Sequence, residues 1–137
     1  MSPRTSPRPA AAVAAAATAL LTWPLGQAHA TDREDASDGR YLLTISGAHG
    51  TWIRGVRLVC PGPGGHHPHA AEACESLALA GGQPEALLGD AERVCTREED
   101  PVEATARGDW HGLPIAWRRT FPGLCALEAA TGPVFRF

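Results

Sequence analysis

"WIRGVRLVCPGPGGHHPHAAEACESLALAGG", residues 52–82, passes from a strand pattern through a breaker to a helix pattern within one run. Its first nine residues place Ile53, Val56, Leu58 and Cys60 at imperfectly alternating positions, the pattern of a half-buried strand. Gly55 upsets the period, which predicts a bulge. "PGPGG" (61–65) can continue neither a strand nor a helix, because proline lacks a donor and glycine disfavours both. From Pro68 the period becomes helical: Ala70, Ala73, Cys74, Leu77 and Ala78 share one face, and Gly81-Gly82 end it. Glu72 and Glu75 lie early, where the helix dipole favours acids. The helix thus carries Cys74 inward, back toward Cys60 at the end of the strand.

Working outward, "YLLTIS" (41–46) reads as a strand turned by "GAHG". "PEALLG" (84–89) fits one further helical turn. "VEATARG" (102–108) and "LPIAWRRTF" (113–121) read as two strands joined by "GDWHG". "CALEAA" (125–130) is a short helix closed by "TGP", and "VFRF" (134–137) reads as a final short strand. Strands fall at both ends with helices between and no βαβ repetition, which predicts an α+β fold on an antiparallel sheet.

The first thirty residues are expected to lie outside that fold. Arg4 and Arg8 without an acid, an apolar run over 10–25 and "AHA" at 28–30 have the order of a secretory signal, with cleavage before Thr31. No other apolar run approaches the ~20 residues that span a bilayer. The expected product is a secreted, extracellular domain over residues 31–137, of which 31–40 are expected to be flexible. Without Arg4 and Arg8 the chain keeps ten arginines and no lysine against fifteen carboxylates, a net charge of −5. An acidic exported domain excludes nucleic acid as the expected partner, and nothing in it points to a membrane.

Cys60, Cys74, Cys95 and Cys125 are an even set in an exported chain, which reads as two disulfides in one of three pairings. No pair stands at the C-x₂₋₄-C spacing of a zinc site. His66, His67 and His69 form the histidine cluster, and no second motif completes a metal site with them. They read as a polar approach to the helix. The serines Ser37, Ser46 and Ser76 lie outside any G-x-S-x-G, and Glu98, Glu99 and Asp100 are consecutive and cannot face one another across a cleft. The chain therefore reads as no enzyme and needs no cofactor. Trp52, Trp110 and Trp117 read as core or sheet-face residues.

"RVCTREEDPV" (93–102) is too charged and too broken by proline to be core. A disulfide on one side and Asp100-Pro101 on the other would leave it extended, exposed and stiff. That is the shape a serine protease takes into its cleft, and stiffness lowers the ordering cost of binding. Read from the residues alone, the segment is more readily an ordinary bordered loop whose Arg97 faces water.

A resemblance decides between the two. "C-P-G-P-x-G-x-H-P" from Cys60, "C-x-x-x-x-D-P-V" from Cys95, the cysteine spacings, "WHG" at 110–112, "WRRTFPGLC" and the terminal "VFRF" resemble the Streptomyces subtilisin inhibitor family over nearly all of 41–137. The resemblance implies a five-stranded antiparallel sheet with two short helices, a homodimer formed through the sheet, and the pairs Cys60–Cys74 and Cys95–Cys125. The strands around Trp52 and Trp117 are expected to offer the apolar surface buried in that dimer. It places the reactive bond at Arg97-Glu98, with Cys95, Thr96 and Glu99 also contacting the protease. Arg97 would enter the pocket whose buried aspartate marks trypsin-like enzymes, and subtilisin-like enzymes are the other expected targets. Thr96 stands where the family often has proline. Glu98 and Glu99 stand where apolar or small residues are easier to seat, and they are expected to oppose an acidic protease rim. Arg93 reads as outside the contact. The competing reading is a secreted, disulfide-stapled structural or weakly metal-binding module.

Overall fold

The computed structural model describes residues 37–62, 64–97 and 100–137. The expected signal (1–30) and the cleavage point before Thr31 lie outside the described residues, as do Glu98 and Glu99. Four strands form one sheet: β1 (Gly39–Gly47), β2 (Ile53–Cys60), β3 (Val102–Trp110) and β4 (Leu113–Phe121), in the order β2-β1-β3-β4. Every neighbouring pair is antiparallel. β1 opens at Gly39, inside the stretch expected to be flexible, and Asp38 N–H already donates to the Cys60 carbonyl at 2.8 Å.

The register of β1 and β2 runs through Gly55, which faces Thr44, with no extra residue, so the expected bulge is absent. β3 continues two residues beyond its expected end. It closes on β4 through His111-Gly112, both at positive φ (46° and 77°), which matches the twist of a two-residue hairpin. Alternation then puts Tyr41, Leu43, Ile45, Leu58, Ala104, Ala106 and Ile115 on one face, all buried. The opposite face carries Leu42 and Ile53, both exposed, and a hydrogen bond of 2.6 Å between the Thr44 and Thr105 hydroxyls.

Two helices cover the apolar face: α1 (Ala70–Leu79), through Ala73, Cys74 and Leu77, and α2 (Leu124–Thr131), through Leu127 and Thr131. Ala78, expected on the inward face of α1, is exposed. The turn after α1 is pinned to the sheet at Gly82, whose carbonyl accepts the Tyr41 hydroxyl at 2.8 Å. Gly82 has φ of 77° and lies so close to Trp110 that a Cβ would stand 2.0 Å from the indole Cγ, so only glycine fits. Burial, with Asp109 adding a smaller effect, pushes the Tyr41 phenol well above its ordinary range.

The expected fifth strand is not formed. Residues Gly132–Phe135 make a 3₁₀ turn with Pro133 at its start, and Val134 and Phe135 are both fully buried. Consecutive strand residues point to opposite faces, whereas here two neighbours must both reach a core that lies on one side. The Val134 carbonyl is also taken, by a His67 ring nitrogen at 2.9 Å. The sheet therefore stays four-stranded, with the C-terminal turn packed against α1 and α2.

Candidate functional site

The described residues of 88–101 carry no regular strand or α-helix, yet one face of α2 tracks their first half. Cys125, Glu128 and Ala129 stand at i, i+3 and i+4 and so share that face. The Ala129 carbonyl accepts the Asp90 N–H at 2.7 Å, and Gly89 passes so close that a Cβ would lie 1.9 Å from the same oxygen. The Asp90 carboxylate caps the next turn by accepting the Glu92 N–H at 3.1 Å. Arg93 Nη2 then meets Glu128 Oε2 at 3.0 Å, and Cys95 is bonded to Cys125 with their Cα atoms 5.7 Å apart. The other disulfide joins Cys60 to Cys74, Cα atoms 5.3 Å apart. Both pairs are those the resemblance implies.

Cys95 is half-buried, and Thr96, Arg97, Asp100 and Pro101 are exposed. Val102 then returns to the core, 2% exposed, as the first residue of β3. Arg97 is thus suspended between a disulfide and a strand end. Among the described residues no carboxylate stands at ion-pair distance from it. Its inner side borders an open cleft of about 940 Å³ shared with Trp52, Arg54, Asp100, Pro101 and Leu124. The Arg54 guanidinium lies over the Trp52 ring at 5.1 Å, a cation–π contact that forms the far wall. The β1–β2 turn supplies that wall, held by a hydrogen bond of 3.0 Å from Gly47 N–H to the Trp52 carbonyl.

The histidines divide by burial. His66 and His69 are exposed, and His69 pairs at 3.5 Å with Glu72. His67 is buried at 7% exposure. Its Nδ1 accepts the His69 N–H at 3.0 Å, which leaves Nε2–H to donate to the Val134 carbonyl and fixes the neutral tautomer. Burial holds its pKa below the ordinary value, although the Val134 carbonyl works the other way. It is a structural clasp between α1 and the C-terminal turn. Among the described residues no group of three His, Cys, Asp or Glu is placed to hold a metal ion.

The tryptophans separate as well. Trp110 is core, 8% exposed, and Trp117 packs on Phe135 and Phe121 while its Nε1–H donates to Glu85 at 2.6 Å. Trp117 therefore lies on the covered face of the sheet and offers nothing to a partner on the other face. Sequence reasoning missed the support of the loop: Gly89, Asp90, Arg93 and Glu128. The Gly89-Asp90 pair is a local turn signal. Arg93 and Glu128 lie too far apart in sequence for any local pattern to join them.

Comparison with known proteins adds to this geometry. Residues 38–123 match the model of the family described as subtilisin inhibitor-like. A subtilase-type protease inhibitor of Streptomyces fradiae is 41% identical over 130 residues, covering 89% of this chain and 90% of that one. Subtilisin inhibitor-like protein 5 of Streptomyces fradiae is 43% identical over 88 residues, 64% of this chain and 82% of its own. Among solved structures, Streptomyces caespitosus sermetstatin in complex with Bacillus licheniformis subtilisin superposes with a TM-score of 0.56 at 31% identity, covering 74% of this chain and 98% of that one. These relatives are protease inhibitors, not enzymes. By sequence over most of its length, and by fold, the chain belongs to the subtilisin inhibitor-like family.

Proposed function

We propose that this chain is a secreted inhibitor of serine endopeptidases that acts as a tightly held substrate, with Arg97-Glu98 as its reactive bond. The observation that carries the reading is the position of Arg97: exposed, unpaired among the described residues, and held between the Cys95–Cys125 disulfide and the buried start of β3. Sermetstatin, a structural neighbour, was solved bound to a subtilisin, which supports a protease as partner. The positive charge of Arg97 favours trypsin-like enzymes, because a guanidinium against a buried aspartate makes a charge-assisted, bidentate contact.

In the proposed reaction the protease serine oxygen bonds to the Arg97 carbonyl carbon. The Arg97–Glu98 C–N bond breaks, and the protease histidine passes its proton to the Glu98 nitrogen. That amine stays beside the acyl-enzyme because its chain re-enters β3 while Cys95 remains tied to α2. Re-attack by the amine then outpaces attack by water. Thr96 and Cys95 line the neighbouring subsites. Glu98 and Glu99 weaken binding to proteases with an acidic rim.

Titrating trypsin and subtilisin with the protein purified from a secreting host tests this reading. Stoichiometric loss of trypsin activity is expected; full activity of both enzymes at excess protein would reject it. The uncovered sheet face, with Leu42 and Ile53 exposed, supports a homodimer through the sheet. Trp117 is no part of that surface. Sedimentation at twice the monomer mass is expected, and a monomer at micromolar concentration would count against the dimer.

A further inference from the structure

We infer that the Arg93–Glu128 ion pair is a positioning device for the reactive loop, setting the direction in which the chain leaves Cys95. The inference rests on the inhibitory reading above and adds a residue pair to it. A disulfide fixes one point of the chain and leaves it free to swing about that point. A second fixed point close by turns the swing into a direction. Asp90 is anchored to the Ala129 carbonyl, but between Asp90 and Cys95 the chain buries nothing apolar: Ala91, Glu92 and Arg93 are exposed, and Val94 is 91% exposed. Among the described residues the contact between Arg93 and Glu128 is what ties this interval to the body of the protein.

The pair is built to keep its orientation. Glu128 is 27% exposed and Arg93 35%, so water screens them less than it would a pair on an open surface. Glu128 projects from the helix turn that follows Cys125, on the same face as Ala129, so its carboxylate is carried by a rigid element. Arg136 Nε approaches the same Oε2 at 3.9 Å and adds a second positive charge behind it. Ion pairs of this exposure add little to global stability. Here the quantity at stake is local order over a few residues, which a small free energy suffices to decide. Arg93 is therefore not the neutral neighbour that its distance from Arg97 in sequence implied.

The test compares the full chain with Arg93→Met, Arg93→Lys and Glu128→Gln by two readouts. Amide hydrogen exchange at positions 92 and 93, whose N–H groups donate to Asp90, should quicken about fivefold in Arg93→Met and Glu128→Gln, the change that loss of a favourable partly shielded pair produces. Exchange in β1 and β3 should stay unchanged, and Arg93→Lys should recover part of the protection. With trypsin, the chain cut at Arg97-Glu98 should accumulate about fivefold faster in the same two variants, with the association rate held. Unchanged exchange at positions 92 and 93 in both variants overturns the inference. So does acceleration shared equally by the sheet amides, which would mark a merely structural role. Failure of the parent protein to inhibit any serine protease would sink the inhibitory reading instead, and the exchange readout would still decide whether the pair positions the loop.

Discussion

The two disulfides sit in opposite surroundings. Cys60 and Cys74 are 1% and 6% exposed and join β2 to α1 inside the packed face of the sheet, beside Leu58 and Leu77. Cys95 and Cys125 are both only half-buried, and Thr96 and Arg97 just beyond Cys95 are exposed. The first cross-link is part of the packed core; the second stands where no core is formed. Chain entropy alone ranks them the other way. A loop of separation 30 rather than 14 gains about 0.7 kcal/mol in that account. Packing around the sulfur atoms, and not loop length, is what tells the two regions apart.

Removing each bridge in turn should separate the two regions most. Cys60→Ala with Cys74→Ala should cost about 3 to 5 kcal/mol, since a buried cavity adds to the lost constraint, and inhibition should disappear with the fold. Cys95→Ser with Cys125→Ser should cost less, about 2 to 3 kcal/mol. The sheet should remain intact by circular dichroism while the protein turns from inhibitor into substrate. Chemical denaturation and trypsin titration of the two double variants check both halves. Equal losses of stability with equal losses of inhibition would erase the distinction.

A smaller effect sharpens it. His67 belongs to the packed region, and protonating it puts a hydrogen on Nδ1, where the His69 N–H already points. Burial, the main cause, and the neighbouring His69 lower its pKa, against opposing effects from the Val134 carbonyl and Glu72. A lowered pKa means the unfolded chain binds the proton more readily than the folded one. The stabilising contribution is thus complete above the unfolded value of 6.5 and is lost as pH falls through the folded value. The melting temperature should drop on acidification below 6.5, and His67→Gln should flatten that slope. A parent and variant with parallel pH profiles would contradict the clasp. Amide protection at positions 92 and 93, corrected for the intrinsic pH dependence of exchange, should not follow the same titration, because the loop is tied to α2 and not to His67.

Much of this was legible in the sequence, and unevenly so. The strand, loop and helix of residues 52–82 announce themselves through period and punctuation, and the resemblance supplied the disulfide pairs. "VFRF" failed as a strand because its alternation is only four residues long. Its partner, His67, stands 67 positions earlier, out of reach of any local pattern. Pro133 was the clue that the segment turns. Gly55 misled in the other direction, since a glycine inside the edge strand β2 can sit in ladder register without an extra residue. The loop itself was visible as charge and proline. Its support was not, because Arg93 and Glu128 meet only once α2 is folded against the segment.

The central claim is that one bond, Arg97-Glu98, is offered to the protease by a segment held on both sides. Incubating the protein with a catalytic amount of trypsin at mildly acidic pH, then sequencing the new N-terminus, tests that most directly. The account predicts a single new chain beginning at Glu98, with the two pieces joined through Cys95–Cys125 until reduced. A first cut after Arg93, giving a chain that begins at Val94, or rapid digestion to small peptides, would contradict it.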